Sequence, residues 1–161
     1  MSAQLLGAEA TSEVASAILV ASVPASGPRS PMSAARCSRR RSSIRKLGSG
    51  IDVNTGRTKS DDWLSALRDL SVAGTNRNAL EAYMASWTGT DLSARVSGTE
   101  THAHAILGEL DLGASKTKIE ETVGSWFKNL TVNEMLETGH YPMYERPAEF
   151  VGTVPQLLMR P

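Results

Sequence analysis

Thr138–Phe150, TGHYPMYERPAEF, sets a histidine between a glycine and a tyrosine, follows it with a proline, and closes on the charged turn Glu145-Arg146-Pro147. Turn formers around a histidine suit a ring presented at the end of a strand. An ordinary surface histidine in a loop satisfies the same pattern. The residues upstream decide between the two.

Working outward, "LTVNEML" (Leu130–Leu136) has the texture of a strand that ends just before this loop. "KTKIEETVGSWFKNL" before it reads as a helix with Ile119, Val123, Trp126 and Phe127 inward. Earlier still, "THAHAILGELD" (Thr101–Asp111) is a strand that breaks at Gly108 and carries Glu109 and Asp111 just past its C-terminal end. Strand, crossover helix and strand make a parallel pair, and in open parallel sheets ligands gather at the carboxyl ends of the strands. Asp111 and His140 are therefore expected on the same rim, in loops after adjacent strands.

The N-terminal half supplies the neighbour. "MSAQLLGAEATSEVA" suits the buried end of a helix, and "SAILVASV" (Ser16–Val23) is a short strand, apolar on both faces, of the kind found inside a covered sheet. Pro24, Pro28 and Pro31 end it. Two polar helices follow. The first starts at Ser60 as N-cap with Asp61-Asp62 in its first turn, repeats Trp63, Leu64, Leu67 and Leu70, and stops at Gly74. The second repeats Leu80, Tyr83, Met84 and Trp87 and stops at Gly89. Such stripes are packing surfaces, and a helical pair inserted between strands can serve as a lid. The Arg39–Arg41 cluster reads as a solvated face.

"AILGELD" followed by "TGHYPMYERPAEF" resembles the last third of the α/β-hydrolase fold, in which a strand ending in G-x-x-D supplies the catalytic acid and a G-H-x-P-x-x-E-x-P loop supplies the histidine. "AILVASVPASG" is similar to the sixth strand of that fold, the helical middle to its cap, and "TDLSARV" to the lead-in of its seventh strand. The resemblance implies an α/β architecture: a partial α/β-hydrolase parallel sheet (last three strands) with crossover helices and a helical cap insertion. Residues 1–33 would give a helix and strand of the core, 34–90 the cap, and 91–161 the portion bearing the acid and histidine loops. It also implies hydrolysis of a small ester or related acyl substrate with no cofactor. His140 would be the base and Asp111 the acid that fixes its tautomer. Glu109 is the rival acid, since spacing alone does not choose between them. Glu145 and Arg146 are expected to pin the histidine loop.

That family places its nucleophile at a G-x-S-x-G elbow. No G-x-S-x-G occurs in the 161 residues, and "MSAQLLGAEA" resembles the helix that begins just after the elbow. The expected reading is thus a truncated hydrolase, inactive alone, with an exposed sheet edge open to self-association. An aspartate nucleophile, as in dehalogenases and epoxide hydrolases of this fold, would also stand upstream. Ser125 in "VGSWF" lacks the second glycine and the strand-to-helix turn. The alternatives are a non-catalytic helical interaction protein and a companion fragment that completes a site with another chain.

Composition excludes little else. Lys+Arg 17 against Asp+Glu 17 gives a net charge of +0, so no whole-molecule field draws the chain to nucleic acid or to an anionic membrane. The single Cys37 permits no disulfide framework, and a reducing, cytoplasmic compartment fits. The apolar run "ASAILVASV" follows Glu9 and Glu13 with no Lys or Arg ahead of it, the wrong charge order for a secretory signal. His102 and His104 share a strand face but have no third ligand at a telling spacing, so no metal site is expected. They read as exposed or hydrogen-bonded polar residues.

Overall fold

The computed structural model describes residues 14–22 and 50–159. The expected N-terminal helix, the prolines at 24, 28 and 31, Cys37 and the Arg39–Arg41 cluster lie outside the described residues.

Among the described residues, β1 (Ser16–Val20), β2 (His102–Gly108) and β3 (Leu130–Met135) form one parallel sheet in that order. The register pairs Ala17 with Ala103 and Ile106 with Asn133. Alternation sends Leu19, Ala103, Ala105 and Leu107 to one face, where Ile119, Val123 and Phe127 cover them. On the other face Ile18, Ile106 and Met135 pack with Phe150, Val154 and Leu157. β2 is therefore buried on both sides, as a central parallel strand must be. β1 ends at Val20, short of the expected Val23, because Ala21 turns into the left-handed region (φ 43) while its N–H donates to the Ile106 carbonyl at 2.9 Å.

The helices follow their sequence signals unevenly. α1 (Asp61–Ala73) starts at Ser60, whose side chain accepts the Trp63 N–H, and α2 (Arg77–Gly89) starts at Asn76, which accepts the Ala79 N–H. Their stripes are buried less deeply than expected: Leu67 and Met84 are covered, but Leu70 is 55% and Tyr83 47% exposed. The Trp87 side chain lies outside what the structure describes. α3 is one turn, Ser93–Val96. The crossover between β2 and β3 is α4 (Lys116–Thr122) with a 3-10 turn, Val123–Ser125, so that Trp126 and Phe127 leave the helix but still reach the sheet. α5 (Pro142–Glu145) and α6 (Pro147–Leu158) each begin with proline at the first position, where the missing N–H costs nothing.

His102 and His104 share one face of β2, with rings stacked at 4.3 Å between centroids. His102 is hydrogen-bonded to Thr131 Oγ1 at 2.9 Å, and His104 is completely buried. Burial on that face is partial at His102, the first residue of the strand, and complete by His104.

Candidate active site

Gly108 ends β2 where the chain must pass against another backbone. A Cβ there would stand 2.2 Å from the carbonyl oxygens of both Thr138 and Gly139. With only hydrogen at that position, Leu110 N–H donates to Thr138 O (2.9 Å) and Glu109 N–H to Met135 O (3.0 Å), stitching the two post-strand loops together. Gly139 is equally confined, since a Cβ would meet the Asn54 carbonyl oxygen at 2.2 Å and Thr55 Cα at 2.6 Å. Both glycines are required by close approach of backbones.

This stitching brings Asp111 and His140 together: His140 Nδ1 lies 2.6 Å from Asp111 Oδ2. The other carboxylate oxygen, Oδ1, accepts the N–H groups of Gly113 (2.8 Å) and Ala114 (3.1 Å). Asp111 is 2% exposed, and burial by itself pushes its carboxyl up. The hydrogen bond and charge of His140, with the two backbone donors, outweigh that burial and hold it below the usual value. An ionised carboxylate can only accept, so Nδ1 must carry the hydrogen. The neutral imidazole then keeps its lone pair at Nε2, the atom a proton acceptor needs. The ring stays accessible, with 30% of the side chain exposed, and stands edge-on to Tyr141 at 5.2 Å.

Glu109, the rival acid, points elsewhere: it is exposed and its Oε2 accepts the Glu137 N–H at 3.0 Å. Ser125 is exposed on the 3-10 turn and donates to Thr122 O. Glu145 accepts from the N–H groups of Gly139 and Tyr141, and Arg146 reaches the Leu136 carbonyl, Glu137 and Glu149, so both hold the histidine loop.

One part of the site escapes sequence reasoning. His140 N–H donates to the carbonyl of Asn54 at 2.8 Å, and Gly56 (φ 66) packs on the Leu110 side chain. The segment around Asn54 thus lies directly against the loop that carries His140. The turn sequence Asn54-Thr55-Gly56-Arg57 is its local signal, with both Gly56 and Arg57 at positive φ. Among the described residues, no group of three or more His, Cys, Asp or Glu side chains could hold a metal ion, and no helix is long and apolar enough to cross a membrane.

No protein-family model and no curated protein matches the chain. Solved structures do. An alpha/beta hydrolase enzyme, MGS-M2, from a deep-sea metagenome of the Medee basin matches 99% of this chain with 61% of its own, at 17% identity and a TM-score of 0.71. A thermophilic esterase from Thermogutta terrifontis matches 97% of this chain with 60% of its own (13% identity, TM-score 0.75). An enol-lactonase from Burkholderia xenovorans matches 98% with 61% (19% identity, TM-score 0.72). The chain has a partial α/β-hydrolase fold and spans about 60% of the length of these structures.

Proposed function

We propose that Asp111 and His140 are the acid and the base of a hydrolase that cleaves small esters or related acyl substrates through an acyl-enzyme. The observation that carries this reading is the 2.6 Å contact between a buried, doubly anchored carboxylate and a partly exposed imidazole. In it, His140 Nε2 takes a proton from a nucleophile and returns it to the leaving group, while Asp111 holds the tautomer and stabilises the imidazolium as it forms. The neighbours support the class of chemistry, since an esterase and an enol-lactonase are among them. No cofactor enters the scheme.

No G-x-S-x-G occurs among these 161 residues, and in the proposed reading the nucleophile comes from polypeptide outside them. In the same reading 1–33 and 91–161 belong to the core, and 34–90, with α1 and α2, to a cap. Companion chains fit as a second reading, because among the described residues β1 pairs with β2 alone and its other edge is open to a further strand or to a second copy.

The test is complementation. The chain alone should hydrolyse p-nitrophenyl acetate no faster than buffer. Fused to the N-terminal portion of a structurally similar esterase, it should gain turnover that a serine-directed phosphonate abolishes. Activity of the isolated chain, or a well-folded fusion without activity, would contradict the proposal.

A further inference from the structure

Glu145 carries a carboxylate with no exposed side-chain surface. Its Oε1 accepts the N–H groups of Gly139 (3.1 Å) and Tyr141 (3.0 Å), and its Oε2 lies 3.0 Å from the Gly139 N–H. Those are the residues on either side of His140, whose own N–H is taken by Asn54 O. The backbone of Gly139-His140-Tyr141 is therefore fastened at every N–H. A buried carboxylate needs a counter-charge. Lys59 supplies it, with Nζ 3.4 Å from Oε2 and only 17% of the side chain exposed. Lys59 immediately precedes the N-cap of α1, and its ammonium lies 5.8 Å from the centroid of the Trp63 ring in the first turn of that helix. One ion pair thus joins the root of the helical pair to the backbone that aims the imidazole.

We propose that Glu145 is a positioning residue for His140, and that Lys59 makes its grip depend on how α1 is seated. The proposal rests on the reading of His140 as a base, and it identifies the lever by which movement of the helical pair would alter that base. Glu145 touches no reacting atom. Its effect passes through the loop backbone to the His140–Asp111 hydrogen bond, so that bond is the readout.

The experiment is NMR on the full chain, following the His140 Nδ1 proton, which is assigned by its loss in Asp111→Asn. Lys59→Met keeps the stem over Trp63 and removes the charge. It should speed exchange of that proton with water by about tenfold or more, the scale of one hydrogen bond to a charged group, and Lys59→Arg should restore slow exchange. Glu145→Gln puts an amide donor against backbone donors and should have a larger effect. Unchanged exchange in a folded Lys59→Met overturns the proposal, as does global unfolding of Lys59→Met, which would make the pair merely structural. Absence of an Asp111-dependent proton in the parent chain would instead break the acid–base reading, a different failure.

Discussion

The rim that carries Asp111 and His140 and the helical pair α1–α2 are built in opposite ways. At the rim, three stretches of backbone meet so closely that Gly108 and Gly139 have no room for a methyl group, and buried carboxylates at 111 and 145 collect the loop N–H groups. In the helical pair, a Cβ added at Gly89 would have nothing within 4 Å, Leu70 and Tyr83 face outward, and each helix begins with a single side-chain cap. The rim is joined by long-range polar contacts, whereas the pair shows local helix signals, with Leu67 and Met84 as its buried apolar side chains. A base must be aimed to a fraction of an ångström, and the rim has that construction.

Glycine substitutions should separate the two regions most strongly. Gly108→Ala forces a Cβ onto two carbonyl oxygens and should lower unfolding free energy by about 3 kcal/mol or more, or prevent folding. Gly89→Ala should be neutral or stabilising by up to about 1 kcal/mol. Urea titrations decide the matter, and similar losses at both sites would erase the contrast. Next in size, Asp111→Asn should cost about 1.5–3 kcal/mol at neutral pH, the worth of a hydrogen bond to a charged group. Because the folded carboxyl is held below its ordinary 3.8, its stabilisation is complete above that value and is lost as pH falls through the folded value beneath it. The parent chain should therefore lose stability below about pH 3.8 more steeply than Asp111→Asn does. Parallel acid limbs would contradict the assignment. Smallest of all, removing the Arg77–Glu81 pair on α2, with both side chains well exposed at 3.4 Å separation, should change stability by at most about 0.5 kcal/mol.

The same contrast explains what could be read in advance. That Asp111 and His140 share one rim was legible because each follows a parallel strand, while the preference for Asp111 over Glu109 came only from the resemblance to the α/β-hydrolase loops; the close backbone approach at Gly108 and Gly139 had no signal beyond the glycines themselves. The strands themselves were legible as apolar runs, except for the end of β1, where Ala21 adopts a positive φ that no alanine announces. The stripe of α1 and α2 promised more burial than exists, since periodicity marks a face without saying how much of it is covered. α6 was obscured by Gly152 and Pro155, although Phe150, Val154 and Leu157 repeat at helical spacing. The support from Asn54 and Lys59 was invisible because it joins residues more than eighty positions from the histidine loop, and only the fold brings them together.

The central claim is that His140 is a base and Asp111 its acid. Steady-state hydrolysis of p-nitrophenyl acetate by the fusion that completes the fold tests it most directly. There, His140→Ala and Asp111→Asn should each lower kcat by roughly three or more orders of magnitude, and Glu109→Gln should leave it within a few-fold of the parent. A fusion that keeps its activity without the imidazole, or that loses it with Glu109 rather than Asp111, would contradict the account.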